Sequence, residues 1–345
     1  MIPIQNIYYM LSYAFQVLNE QGYKNIATEQ FNNIGELMAA ILEKGIAIQL
    51  KRGLGKEYIL QTEALSSLRG KIDIAESIKT QSMLRKQLIC TYDEFSVNSI
   101  MNRIIKSTVE ILLRSNISKQ RKKNLRKLMV YFSEVDFIDL YTVNWNVQYN
   151  RNNQTYRMLI SICYLVVKGL LQTQSNGHTE LMDFLDEQRM CRLYEKFILE
   201  YYRKEFKNQF TANASQIPWQ LDNEENSMLP VMQSDIMLQS GEKVLIIDAK
   251  YYEHSTQVQF DKHTLHSGNL YQIFTYVKNK EYELREKNHT VSGMLLYAKT
   301  DEEIYPNNVY QMSGNQITVR TLDLNLPFDE IAGQLNTIAK TYFDL

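Results

Sequence analysis

The sequence predicts an α+β chain of two domains: a mainly helical N-terminal domain with small strands over residues 1–175, and an α/β domain over residues 176–345. Three observations carry this reading. Apolar residues recur at three- and four-residue spacing through much of the first half, the period of helices buried along one side. In the second half, short continuous apolar runs such as "VLII" and "SGMLLYA" alternate with helical patterns, as strands and helices of an α/β sheet do. A polar, turn-rich stretch over residues 173–178 separates the two patterns, and 345 residues are enough for two cores.

The spacing predicts helices over residues 7–18, 34–48 and 100–113. Between the second and third, "GLGKEYILQTEALSSLRGKIDIAESI" mixes glycines with short alternating runs such as residues 71–74, which predicts small strands joined by turns. Residues 158–171, "MLISICYLVVKGLL", form the most apolar window, yet it is shorter than the ~20 residues a bilayer span needs and carries Lys168. A buried helix follows, and no membrane segment is expected. A further helix, "EQRMCRLYEKFILEYYRKEF", buries the stripe that includes Leu193, Phe197 and Tyr201. Then come strands near residues 234–238 and 243–252, joined by "QSGE" with Gly241 supplying a permissive backbone. A helix over 269–278, the strand "SGMLLYA" and a last helix over 328–342 complete the chain.

Composition bounds the function. Apolar residues make up 44% and charged residues 22%, with thirteen Gly and five Pro, a folded rather than disordered profile. Lys and Arg number 38 against 39 Asp and Glu, so any DNA contact must be local or shared with a partner. Cys90, Cys163 and Cys191 lie far apart with no CxxC pair, which argues against a disulfide framework and a thiolate metal site. The N-terminus lacks the basic start and small-residue cleavage site of a signal peptide, so the cytoplasm is the expected compartment.

The chemistry concentrates in "VLIIDAKYY". Asp248 and Lys250 stand two apart on a strand, so both side chains leave the same face. The hairpin turning at residues 239–242 brings Asp235 alongside Asp248. Two carboxylates and an amine suit metal-assisted phosphodiester hydrolysis, because Mg²⁺ prefers hard oxygen ligands and binds through one or two carboxylates plus substrate phosphate. Asp235, Asp248 and the carbonyl of Ala249 are the expected Mg²⁺ ligands, with Lys250 placing water or offsetting charge on the phosphoryl group. A D-x-K triplet alone is common and more often an ion pair on a solvated face. Here the preceding run is continuously apolar, so the charges stand at the rim of a core.

Asp235, the hairpin and "DAK" at Asp248 to Lys250 resemble the PD-(D/E)xK nuclease motif, with Ser234 in place of its proline. Gln272 and Tyr276, four apart in "NLYQIFTY", are similar to the extra Q-x-x-x-Y motif of the RecB-related subset and share a helix face. Gln272 joins the catalytic set on this resemblance; Tyr276 can equally be a core tyrosine. The likeness reaches further. "IPIQNIYYMLSYAF", "LRGKIDIAESI", "NRIIKSTVEIL", "LYEKFILEYYRKE" and "HSGNLYQI" together resemble the McrC family, the nuclease subunits of McrBC restriction systems, over nearly the whole chain.

That resemblance implies a restriction-endonuclease-like nuclease domain and an N-terminal domain that engages a partner. The partner is an McrB-type AAA+ GTPase hexamer, which binds GTP, recognises modified cytosine in double-stranded DNA and is stimulated by McrC. "GLGKEY" lacks the spacing and hydroxyl residue of a phosphate loop, so this chain itself is not expected to bind GTP. The family's helix acid corresponds best to Glu195, a further metal ligand, and less well to Glu200; either is otherwise a solvated helix residue. Two rival classes stand beside this reading: a non-catalytic activator of the GTPase, and a stand-alone repair nuclease of RecB type.

Two weaker signals remain. His263 and His266 have a spacing seen in zinc sites but no accompanying Cys or acid, so a loop is expected there. The basic run over residues 114–128 can bind phosphate or an acidic protein surface, or be an ordinary solvated helix face.

Overall fold

The computed structural model describes residues 2–345 except 20–22, 24, 25, 27, 28, 30, 151, 152, 172–186, 223–227, 253–256, 260, 261 and 300–304. Two compact units emerge: an inserted unit, Phe31–Phe184, and a sheet unit made of Met1–Gln30 with Leu185–Leu345. The expected boundary near residue 175 lies outside the described residues. The first helix, α1 (Ile4–Ala14), departs from the expected 1–175 domain, because it packs in the sheet unit. Asn6 donates from Nδ2 to the carbonyls of Leu324 and Leu326 at 2.8 Å each, and Tyr9 stacks on Phe328 at 4.5 Å between ring centroids. The helical period shows which face is buried but not which part of the chain covers it.

In the inserted unit, α2 (Ile34–Arg52) starts at Asn33, whose side chain accepts from the Glu36 N–H. The next segment forms β1 (Glu57–Leu65), β2 (Lys71–Asp73) and α3 (Ile74–Lys79), followed by β3 (Leu88–Ser96). These are not all the small strands expected: β1 and β3 pair antiparallel over nine residues, from Glu57↔Ser96 to Leu65↔Leu88. The alternating run expected at 71–74 stops one residue early, since Asp73 caps α3 by accepting from Glu76 N–H at 2.9 Å. α4 (Ile100–Arg114), α5 (Lys119–Met129) and α6 (Tyr156–Leu171) complete the unit. Ile41, Ile104, Val109, Ile162 and Val166 are among its buried residues. Buried Asn102 of α4 donates to the carbonyls of Gly55 and Val97, while Tyr156 OH donates to Asn102 Oδ1 and accepts from Gly55 N–H. This polar knot ties the root of the β1–β3 ladder to two helices.

The sheet unit continues with α7 (Glu187–Glu205), β4 (Thr211–Asn213), β5 (Gln216–Ile217), β6 (Met232–Gln233), β7 (Ile236–Ser240) and β8 (Lys243–Lys250). After these come β9 (Gln257–Gln259), β10 (Lys262–Thr264), α8 (Ser267–Glu283), β11 (Thr290–Ala298), β12 (Asn308–Met312), β13 (Asn315–Leu322) and α9 (Phe328–Phe343). Six strands form one mixed sheet in the order β12-β13-β11-β8-β7-β4, in which β11 runs parallel to both β8 and β13. Its centre is apolar on both sides: Val244 to Ile247 and Met294 to Tyr297 are almost fully buried. Helix α8 lies on the face shared by Val244, Ile246 and Leu295, where Ile273 and Val277 join the core. Gly293 permits this approach, since a Cβ there would stand 2.8 Å from Ile273 and Val277. No described helix is long and apolar enough to cross a membrane.

Candidate active site

The β7–β8 hairpin sets the site. Gly241, at φ 55°, makes the two-residue turn between Ser240 and Lys243, and the register runs to Ile236↔Ile247. One step further places Asp235 opposite Asp248, where the Asp235 carboxylate accepts from the Ala249 N–H at 2.9 Å. Alternation along β8 sends Asp248 and Lys250 to the face that carries α8. Lys250 Nζ lies 2.8 Å from Asp248 Oδ2 and donates to Gln272 Oε1 at 3.2 Å; Gln272 Nε2 in turn donates to Tyr276 OH at 2.9 Å. Asp235, Asp248 and Lys250 are therefore brought together as the spacing predicts, and Gln272 joins them as the resemblance implies, with Tyr276 bonded behind it. They sit at the C-terminal end of β8, where ligand sites of parallel strands gather.

Burial makes this cluster expensive. Asp248 is 1% exposed, and neither of its carboxylate oxygens receives a well-directed hydrogen bond. Its carboxyl is pushed up to about 7 by burial and by the neighbouring Asp235, against the pull of the Lys250 ammonium. Burial likewise raises Asp235, with Lys250 and the Ala249 N–H opposing. Burial alone would lower Lys250, but the two carboxylates outweigh it and hold the amine charged. One ammonium does not balance the charge of two buried acids, and neither Asp248 oxygen receives a well-directed hydrogen bond. A hard divalent cation fits that imbalance, because it supplies charge and accepts both carboxylates as ligands.

Glu195 lies on α7, close enough to Asp235 that burial and that carboxylate together raise its pKa. It accepts from Cys191 Sγ at 3.1 Å. Among the described residues no group of three or more His, Cys, Asp or Glu side chains is arranged to hold a metal ion, so Glu195 does not form a ready three-acid set with the two aspartates. Glu200 is bonded elsewhere, paired with Arg203 at 2.8 Å one turn along α7. The segment expected as a loop around the two histidines contains the β9–β10 hairpin. The His263 side chain lies outside the described residues; His266 precedes α8 and packs its ring 5.3 Å from Tyr252.

Sequence reasoning missed the support behind the site. Asn269 in the first turn of α8 donates to Tyr297 OH at 2.9 Å and accepts from Tyr252 OH at 3.3 Å. Tyr297 stands beside Lys250 in the β8–β11 register and is fully buried. The three residues bind the start of α8 to the ends of two strands, which fixes the position of Gln272 one turn later. The available signal was the three-residue step from Asn269 to Gln272, which places both on one helix face.

Comparison with known proteins adds an independent line. The sequence profile of the family described as "McrBC 5-methylcytosine restriction system component" matches residues 5–298. A curated relative from Escherichia coli (strain K12), the type IV methyl-directed restriction enzyme EcoKMcrBC, is 29% identical over 348 residues, covering 99% of this chain and 98% of the relative. Two solved structures from Thermococcus gammatolerans are also similar. One is an assembly of McrB AAA+ hexamers with bound McrC, at TM-score 0.48 and 19% identity over 97% of this chain and 76% of that one. The other is the McrBC complex, at TM-score 0.42 and 23% identity over 59% of each chain.

Proposed function

The chain belongs to the family of McrBC 5-methylcytosine restriction system components, and from that premise we propose that it is the Mg²⁺-dependent DNA endonuclease subunit of such a system, with a PD-(D/E)xK site. One observation carries the catalytic part. Asp235 and Asp248 meet beside Lys250 at the end of a buried strand, with no well-directed hydrogen bond to the Asp248 oxygens. Asp235, Asp248 and the Ala249 carbonyl would hold the ion, and Glu195 is the candidate for a further ligand. A bound Mg²⁺ supplies Lewis acidity at the phosphoryl oxygen and a more acidic water.

The chain's own residues account for the rest of the chemistry. Lys250, kept charged by the two aspartates, offsets negative charge that builds on the phosphoryl group in the transition state. Gln272 fixes the Lys250 ammonium by accepting from it, and Tyr276 fixes Gln272. The Ala249 N–H orients Asp235. This mutual support keeps the groups at reacting distance without reorganisation.

Targeting falls to a partner in this reading: an McrB-type AAA+ GTPase hexamer that binds GTP and selects double-stranded DNA with modified cytosine. Support comes from the family, whose members are components of a system, and from the absence of a phosphate-loop sequence in this chain. The cytoplasm follows as the compartment where such a system meets incoming DNA. Reconstitution with the AAA+ GTPase tests the whole proposal. Methylated DNA is expected to be cut only with both proteins, GTP and Mg²⁺ present, and unmethylated DNA to be spared. Efficient GTP-independent cutting by the chain alone would refute the partner requirement and leave the nuclease assignment standing.

A further inference from the structure

Charge is divided unevenly between the two units. Residues 31–184 carry 21 Lys and Arg against 14 Asp and Glu, and the rest of the chain carries 17 against 25. The near-neutral total therefore conceals a cationic inserted unit and an anionic sheet unit. The excess is concentrated on α5, "KQRKKNLRKLM", which holds six Lys and Arg and no acid.

The orientation of α5 is fixed by its inner face. Leu125 is fully buried, Arg121 pairs with Glu43 at 2.9 Å and Glu36 at 3.5 Å, and Asn124 donates to Glu43. At 3.6 residues per turn, the opposite face presents Lys119, Lys122, Lys123, Arg126 and Lys127. None of these five forms an ion pair among the described residues, and four of them are exposed. Other solvated helices in this protein intersperse the signs: Arg114 with Glu110, Lys79 with Glu76, Lys278 with Glu281, Lys280 with Glu283. On α5 the positions three and four apart are cation beside cation, which repels, and Lys119 to Lys122 also oppose the positive end of the helix dipole. An ordinary solvated face does not require that arrangement; a polyanion relieves it.

We propose that the outer face of α5 is a binding surface for the phosphate backbone of duplex DNA. The proposal rests on the DNA-cutting reading above for the identity of the polyanion, and gives the substrate a holding site on the inserted unit, apart from the Asp235–Asp248 cluster. A duplex offers roughly one negative charge per 1.7 Å of its axis, so a face whose cations recur at about 6 Å of helix rise meets phosphates in any sequence register. Contacts to phosphate oxygens carry no base information, so binding of the backbone by this face is independent of sequence.

The test is duplex binding by the full-length chain across a salt series, with wild type, a neutral variant (K119Q/K122Q/K123Q/R126Q/K127Q) and a charge-retaining variant (K119R/K122R/K123R/K127R). Gln keeps nearly the same helix propensity, so α5 persists. At low salt the neutral variant is expected to bind at least about 10-fold more weakly, and its slope of log K against log salt to be shallower by roughly 3 to 4, at about 0.9 per phosphate contact. The arginine variant retains both. If the neutral variant fails to fold, Lys123→Gln with Lys127→Gln, at two exposed positions, is expected to remove roughly 2 from the slope. An unchanged slope, or no duplex binding by wild type at low salt, overturns the proposal. So does unchanged DNA binding with lost stimulation of the partner GTPase, which would assign the face to an acidic protein surface. Cleavage of methylated DNA by the same preparations, once combined with the AAA+ GTPase, GTP and Mg²⁺, separates the two readings: wild type that binds with the full slope yet never cuts in that mixture refutes the nuclease site and leaves this surface standing.

Discussion

Asp248 shows how much a single buried side chain says about chemistry. A carboxylate 1% exposed, without a directed donor, destabilises a fold unless a ligand or proton compensates it. Asp248→Asn is expected to lower cleavage by roughly 100-fold or more while the far-UV circular dichroism stays native, because it removes metal-binding charge and keeps the shape. Lys250→Met is expected to match it, since it deletes the ammonium and preserves the stem. Wild-type cleavage by either variant in the reconstituted mixture would dismiss the site. The Lys299–Asp323 pair at the far ends of β11 and β13 makes a contrasting case, 2.6 Å apart and partly exposed. Burial alone would raise the Asp323 carboxyl, but the Lys299 ammonium and Asn325 bring it below its usual 3.8. A depressed carboxylate stabilises the fold above its unfolded pKa, and that contribution disappears as pH falls through the folded value. Asp323→Asn is therefore expected to cost less than about 1 kcal/mol near neutral pH and nothing at pH values below the folded pKa, as read by urea unfolding at both. Equal losses at the two pH values would show that the effect is packing rather than charge.

Between elements, the placement of α8 on β11 decides whether Gln272 reaches Lys250. Gly293 is the contact point, and a methyl there meets Ile273, Val277 and Ile317 at 2.8–2.9 Å. Gly293→Ala is expected to destabilise the protein by about 1–3 kcal/mol through overpacking, and to lower cleavage as well, because any relief moves α8 away from the sheet. Denaturant midpoints and reconstituted cleavage measure the two effects; an unchanged midpoint would mean the helix yields without loss. The hairpin was readable beforehand, since "QSGE" between apolar runs dictates a tight turn and period two dictates the face of Asp248 and Lys250. The β1–β3 ladder was read as small strands, because its nine-residue extent depends on pairing between segments more than twenty residues apart, with glycines and turn residues between them.

For the whole molecule, the insertion of one unit into another determines which fragments fold. Residues 31–184 form a unit of their own, whereas α1 buries Tyr8, Met10 and Leu11 in the sheet unit. A fragment of residues 31–184 is expected to unfold cooperatively, while residues 1–175 leave α1 without its partners and bind a hydrophobic dye; matching dye binding by the two would contradict the division. Of the proposed site positions, Asp235, Asp248 and Lys250 were legible along the chain, because a hairpin is local and its period projects side chains in known directions, and Gln272 was legible through the resemblance. Tyr297 and Asn269 were not, since their role comes from strands and a helix meeting after long connections. The home of α1 was illegible for the same reason: an apolar stripe states that a face must be covered, and only long-range packing selects the cover, here residues more than three hundred positions away.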